Sequence, residues 1–173
     1  DSGPVEVCNI TNKEQLYERI LSEHLNQTAK RIEDSLEQAA DARDGLKRLI
    51  HGLADKFEQS PLLPRIMMQE MARGGEQLSP PVMANMARLI RCTASVVARA
   101  SEHGGVRINP IAVHISLISS LAVYALSAPI RRKATALPQA LGLDLNVNTP
   151  DMAEYLLTML SAMLFPENKG GQP

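Results

Sequence analysis

A chain of 173 residues fits a single domain with room for a sizeable core. Hydrophobic residues at 45% against charged residues at 21% rule out a disordered tract, and aromatics at only 3% favour helix over strand. A net charge of −1 speaks against a strongly electrostatic binder of nucleic acid in this stretch.

Residues 1–11 show no periodicity and read as a loop or a remnant of something larger. Asn12 with Gln15 then reads as a capping box. The long helix it opens carries Leu16, Tyr17, Ile20, Leu21, Leu25, Ile32 and Leu36 along one stripe. A second helix follows from about Asp44, with Leu46, Leu49, Ile50, Leu53 and Phe57 at spacings of three and four. Pro61 and Pro64 open a short third helix through Ile66, Met67, Met68 and Met71, closed by Gly74-Gly75. Ser79-Pro80 starts a fourth, whose inner face is Val82, Met86, Leu89, Ile90, Thr93, Val97 and Ala100. Cys92 falls on its polar-facing edge as a surface or semi-buried thiol. Cys8 and Cys92 form no metal or redox motif, so a reducing, cytoplasmic setting is expected.

The stretch from Asn109 onward is the most informative. Asn109 caps and Pro110 begins a helix with no charged residue before Arg131. Its large apolar side chains point almost all round the axis, broken by a stripe of small residues, Ala112, Ser116, Ser119, Ser120 and Ser127. Such a helix must be covered on all sides. The uncharged run just reaches the length of a membrane span, about 20 residues. Its serines, histidine and bounding prolines favour the central helix of a soluble protein instead. Residues 131–148 read as a loop with a short helical turn. Thr149-Pro150-Asp151 starts the last helix, apolar over half its circumference through Met152, Tyr155, Leu156, Met159, Leu160, Met163 and Leu164. Residues 167–173 read as a flexible tail. One copy of the chain has too little surface to cover both helices. The expectation is a homodimer in which this pair meets its own copy through Ala112, Ser116, Ser119, Ser120, Val123, Ser127, Met152, Tyr155, Leu156, Met159 and Met163.

No catalytic, metal-binding or phosphate-cradling pattern appears, so neither enzyme chemistry nor a cofactor is expected. Of the four histidines only His114 lies on the apolar helix, where it reads either as a hydrogen-bonded core residue or as a ligand contact. The methionines of the third and fourth helices read either as core filler or as the wall of an adaptable apolar pocket.

Two short motifs add to this. Asn12-Lys13-Glu14-Gln15-Leu16-Tyr17 resembles the "S-K-E-x-L-(Y/F)" step between head and body in regulators of the tetracycline-repressor (TetR) family. Gly105-Val106-Arg107-Ile108-Asn109-Pro110 is similar to their "G-x-R-x-x-(D/N)-P" turn before the penultimate helix. The resemblance implies a bacterial transcriptional regulator, most simply a repressor. Its all-α body, residues 12–166, would bind a small apolar or amphipathic effector and pair its last two helices into a dimeric four-helix bundle. It also implies that Lys13 contacts a DNA phosphate. The family's helix-turn-helix head, which reads DNA, is not in this sequence, and Cys8-Asn9-Ile10 stands where its "Y-x-x-F" step belongs. The effector is expected among Met67, Met71, Met86, Ile90, Thr93, Leu117, Leu121 and Tyr124, with His114 and Thr93 as polar anchors. A helical protein–protein interaction module without DNA binding is the alternative.

Overall fold

Proline and polar caps divide the chain into helices. The computed structural model describes residues 13–76, 78–102, 107–134 and 148–166. Among them the chain is all-α and has no strand. The helices are α1 (Lys13–Glu37), α2 (Ala42–Gln59), α3 (Leu62–Ala72), α4 (Pro80–Glu102), α5 (Pro110–Leu126), α6 (Ala128–Ala134) and α7 (Thr149–Leu164). The expected remnant at 1–11, the tail at 167–173 and the Asn12–Gln15 capping box fall outside the described residues.

Several boundaries have a visible local cause. Asp41 caps α2 by accepting from the Asp44 N–H at 2.8 Å, and Asp44 accepts in return from the Ala40 N–H at 3.0 Å. Asn109 caps α5 through the Ile111 N–H at 2.9 Å. Asn148 and Asp151 form a reciprocal capping box at the start of α7. Gly74 and Gly75, at φ +74° and +73°, end α3 in the left-handed region that glycine enters without strain. Ser79 departs from expectation, because its hydroxyl is buried and caps nothing. Pro81 removes the N2 N–H, one of the two that such a cap would bind.

The centre of the bundle is α2, which packs on α1, α4, α5 and α7. Its Leu46, Leu49, Ile50 and Leu53 are fully buried. The sequence points instead to the uncharged helix, α5, as the covered one. In the structure α5 buries Val113, Leu117, Leu121 and Ala122 but leaves Ile111, Ile115 and Val123 exposed. The expected stripe of α1 is corrected in the same way: Leu21, Leu25 and Ile32 are buried, whereas Leu16 and Ile20 face outward. Cys92, expected at or near the surface, is buried, and burial pushes its thiol up to about 11. It is an inert thiol at neutral pH.

Polar ties fix the register of the helices at the rim. The Arg88 guanidinium donates to both oxygens of Glu33 and to Asn26 Oδ1 at 2.6 Å, joining α4 to α1. Arg43 stacks over the Phe165 ring at 4.6 Å and donates to the Phe165 carbonyl, fastening α2 to the end of α7. His51 Nε2 lies 3.0 Å from Glu154 Oε1, a close approach at an angle poor for a hydrogen bond.

Residues 131–134, at the start of the stretch read as a loop with a short helical turn, belong to helix α6, which turns away from α5 by 52°. Arg131 holds this bend: it stacks on the Tyr124 ring at 3.7 Å and donates to the Tyr124 carbonyl and the Ser127 hydroxyl. Among the described residues no single helix is long and apolar enough to cross a membrane; α5 and α6 reach that composition only together, across the bend.

Leu117 is 0% exposed. Replacing it with Ala should cost about 2–5 kcal/mol, from lost burial and the void left behind. Urea unfolding of Leu117→Ala checks this, and a loss within error of zero would show that α5 does not pack there as described.

Candidate functional site

The bundle is not filled to its edge. Between α3, α4 and α5 lies a cavity of about 230 Å³. Its floor is built from core residues, Leu25 and Thr28 of α1, Leu53 and Phe57 of α2, and Leu89 of α4. Met67, Met68 and Met71 of α3 form one wall, and Met86 and Ile90 of α4 a second. His114, Ile115, Ile118 and Ser119 of α5 form the third. Met71 and Ile115 line the cavity while being 57% and 56% exposed, so they mark its mouth between α3 and α5. No charged side chain lines it. Four of the chain's eight methionines do, and their flexible thioethers suit a wall that adapts to its contents.

The residues named from sequence divide three ways. Met67, Met71, Met86, Ile90 and His114 line the cavity. Thr93 is fully buried behind His114, its hydroxyl 2.8 Å from His114 Nδ1. Leu117 and Leu121 do not line the cavity; they belong to the core on another face of α5. Tyr124 does not line it either, being held under Arg131 at the α5–α6 bend. Ile115, Ile118 and Ser119 take the places expected for those three. The other lining residues missed from sequence, Leu25, Thr28, Leu53, Phe57, Leu63, Met68 and Leu89, carry no signal distinguishing a cavity wall from ordinary core.

The expected dimer residues divide too. Ala112, Ser116, Val123, Tyr155, Met159 and Met163 are exposed on α5 and α7, which pack against each other. Ser120, Ser127 and Met152 are half-buried. Leu156 is buried in the chain's own core, one helical step from the outward stripe, and Ser119 lines the cavity. Both are withdrawn from the outer face. Lys13 opens α1, but its side chain is outside what is described.

One polar contact joins the cavity's α3 wall to the beginning of α1. Glu70, on α3 beside Met71, is 1% exposed and accepts from the Tyr17 hydroxyl at 3.3 Å. Arg73 stands 3.6 Å from the same carboxylate oxygen, and Oε2 has no hydrogen-bond partner among the described residues. Burial and the neighbouring Glu70 carboxylate raise the Tyr17 phenol above its ordinary range.

Among the described residues no three His, Cys, Asp or Glu side chains gather as metal ligands would. Compared with protein-family models, with curated proteins and with solved structures, the chain gives no match.

Burial lowers the pKa of His114, since its charged form is poorly solvated there. The imidazole is held neutral in the folded chain at a pH where the unfolded chain, titrating near about 6.5, already takes up a proton. His114 therefore has its full stabilising effect above that value, and the effect is lost as pH falls toward the lowered folded pKa. Between about pH 7.5 and about pH 5 the urea midpoint of wild type should fall more than that of His114→Gln. Parallel declines would show that His114 is not held neutral.

Proposed function

We propose that the chain is the effector-binding and dimerisation body of a TetR-like transcriptional regulator, most simply a repressor. The observation that carries this reading is the double duty of α5. One side of the helix lines a charge-free cavity through His114, Ile115 and Ile118, while another leaves Ala112, Ser116 and Val123 exposed, and α7, which packs on α5, leaves Tyr155, Met159 and Met163 exposed. An internal apolar cavity suits a small guest. An uncharged outer face shared by two neighbouring helices suits a second copy of the chain, joined as a four-helix bundle across a two-fold axis.

The two motifs fit this arrangement. The Lys13–Tyr17 segment lies at the beginning of α1, where a DNA-reading head would attach, and Lys13 is the residue that would meet a DNA phosphate. The Arg107–Pro110 segment leads directly into α5. A guest bound among α3, α4 and α5 would favour one arrangement of the paired bodies, and hence one spacing of the attached heads. Its effect on DNA affinity equals its differential affinity for the arrangements.

Sedimentation at micromolar concentration should give a dimer for wild type and a monomer for the paired substitution Val123→Glu with Met159→Glu, both folded by circular dichroism. A wild-type monomer would remove the dimer, and wild-type pairing that survives both glutamates would place the interface elsewhere. For the regulator itself, the polypeptide that includes the residues encoded ahead of Asp1 should retard its own promoter DNA. The absence of a basic helix-turn-helix from those residues would overturn the class. Capture of a different protein by the α5–α7 face, without self-association, would select the interaction module instead.

A further inference from the structure

The two ends of α3 are held to the bundle by different chemistry. At its start Leu63 and Pro64 are buried, and Leu63 belongs to the apolar core. Ile66, Met67 and Met68 follow, half-buried against that core. In the far half of the helix the one fully buried residue is Glu70, 1% exposed and followed by Met71 at the cavity mouth. Its carboxylate accepts from the Tyr17 hydroxyl at 3.3 Å, and Arg73 approaches the same oxygen at 3.6 Å. Oε2 has no hydrogen-bond partner among the described residues. The Tyr17 ring packs against the core, so its hydroxyl is presented from a fixed base.

An apolar side chain in the place of Glu70 would hold the helix down by its burial alone. A carboxylate holds it far less. Closing strips water from both of its oxygens and returns one long hydrogen bond and an ion pair to a half-exposed arginine. Such a contact is closed at rest and releases at small cost.

Building on the reading of the cavity as an effector site, we propose that the Tyr17–Glu70 contact is a releasable latch: it holds the far end of α3 against the bundle and sets how fast a guest enters and leaves between Met71 and Ile115. Release swings the methionine wall away from α5 about the buried root at Leu63 and Pro64, while α2 and the floor stay in place. Neither Tyr17 nor Glu70 lines the cavity, so the latch changes both rates alike and leaves affinity as it is.

Amide hydrogen exchange of the whole chain reads the latch without a guest. Tyr17→Phe keeps the ring and removes the donor, so amides at 66–71 should exchange about tenfold faster while those at 46–53 are unchanged. Glu70→Met removes the desolvated carboxylate and should slow the amides at 66–71 about threefold, and Tyr17→Phe should add nothing in that background. The guest's rates are read with cumene from the line shapes of the methionine methyl resonances. A cavity of roughly 150 Å³ holds benzene, so one of about 230 Å³ takes this ring and its short branch. Tyr17→Phe should raise its association and dissociation rates together, about tenfold, at unchanged Kd. Unchanged exchange in α3, or equal acceleration in α2, overturns the latch, and so does a changed Kd at unchanged rates. If cumene moves no methionine methyl, the effector site is lost and the guest's gate with it, although faster exchange in Tyr17→Phe would still show the contact holding α3. Should Tyr17→Phe fail to fold, Glu70→Met decides: exchange at 66–71 no slower than in wild type overturns the proposal.

Discussion

The structure depends on the apolar face of α2. Leu46, Leu49, Ile50 and Leu53 are shielded from water by α1, α4, α5 and α7 together, so no one of those helices can shift without uncovering part of that face. Each fully buried leucine or isoleucine contributes about 1.5–3 kcal/mol relative to exposure, more than any rim contact supplies. The Arg88–Glu33 pair and the Arg43–Phe165 stack are partly solvated, and their role is to set register rather than to hold the bundle together.

The same helix sets the floor of the cavity. Leu53 and Phe57 belong to the core on one side and line the empty space on the other, so the cavity is bounded below by the most rigid part of the fold. Its sides are made of softer material, three methionines on a helix of 11 residues. The resulting site has a fixed base, a yielding wall, and one imidazole oriented by a buried hydroxyl.

Six of the seven helices among the described residues, and most of their boundaries, can be read from the chain because proline, glycine and short polar residues mark them locally. Asn109-Pro110 and Gly74-Gly75 act through their own backbone preferences, whatever surrounds them. The rotation of α5 could not be read. Periodicity orients a helix well only when one stripe is strongly polar, and α5 has no charged residue and only a narrow stripe of small ones, so Leu117 and Leu121 are indistinguishable by sequence from Ile115 and Ile118. Sequence therefore points to the helices that wall the cavity but to the wrong face of α5 for part of its lining. The same limit applied to Cys92, whose arginine neighbours Arg88 and Arg91 suggest a polar edge although the thiol itself turns inward. Sequence offers only a short helical turn after Arg131, because the Arg131–Tyr124 contact that sets α6 apart from α5 joins residues seven apart across a bend.

Of the long or cavity-lining helices, α3 is the least encumbered. Its one substantial neighbour is α5, it buries little beyond Leu63, Pro64 and Glu70, and a pair of left-handed glycines frees its far end. Segments with few apolar contacts open at a small fraction of the free energy that unfolds the whole. The mouth of the cavity lies between this short helix and α5, so the least firmly held wall is the one that borders the opening.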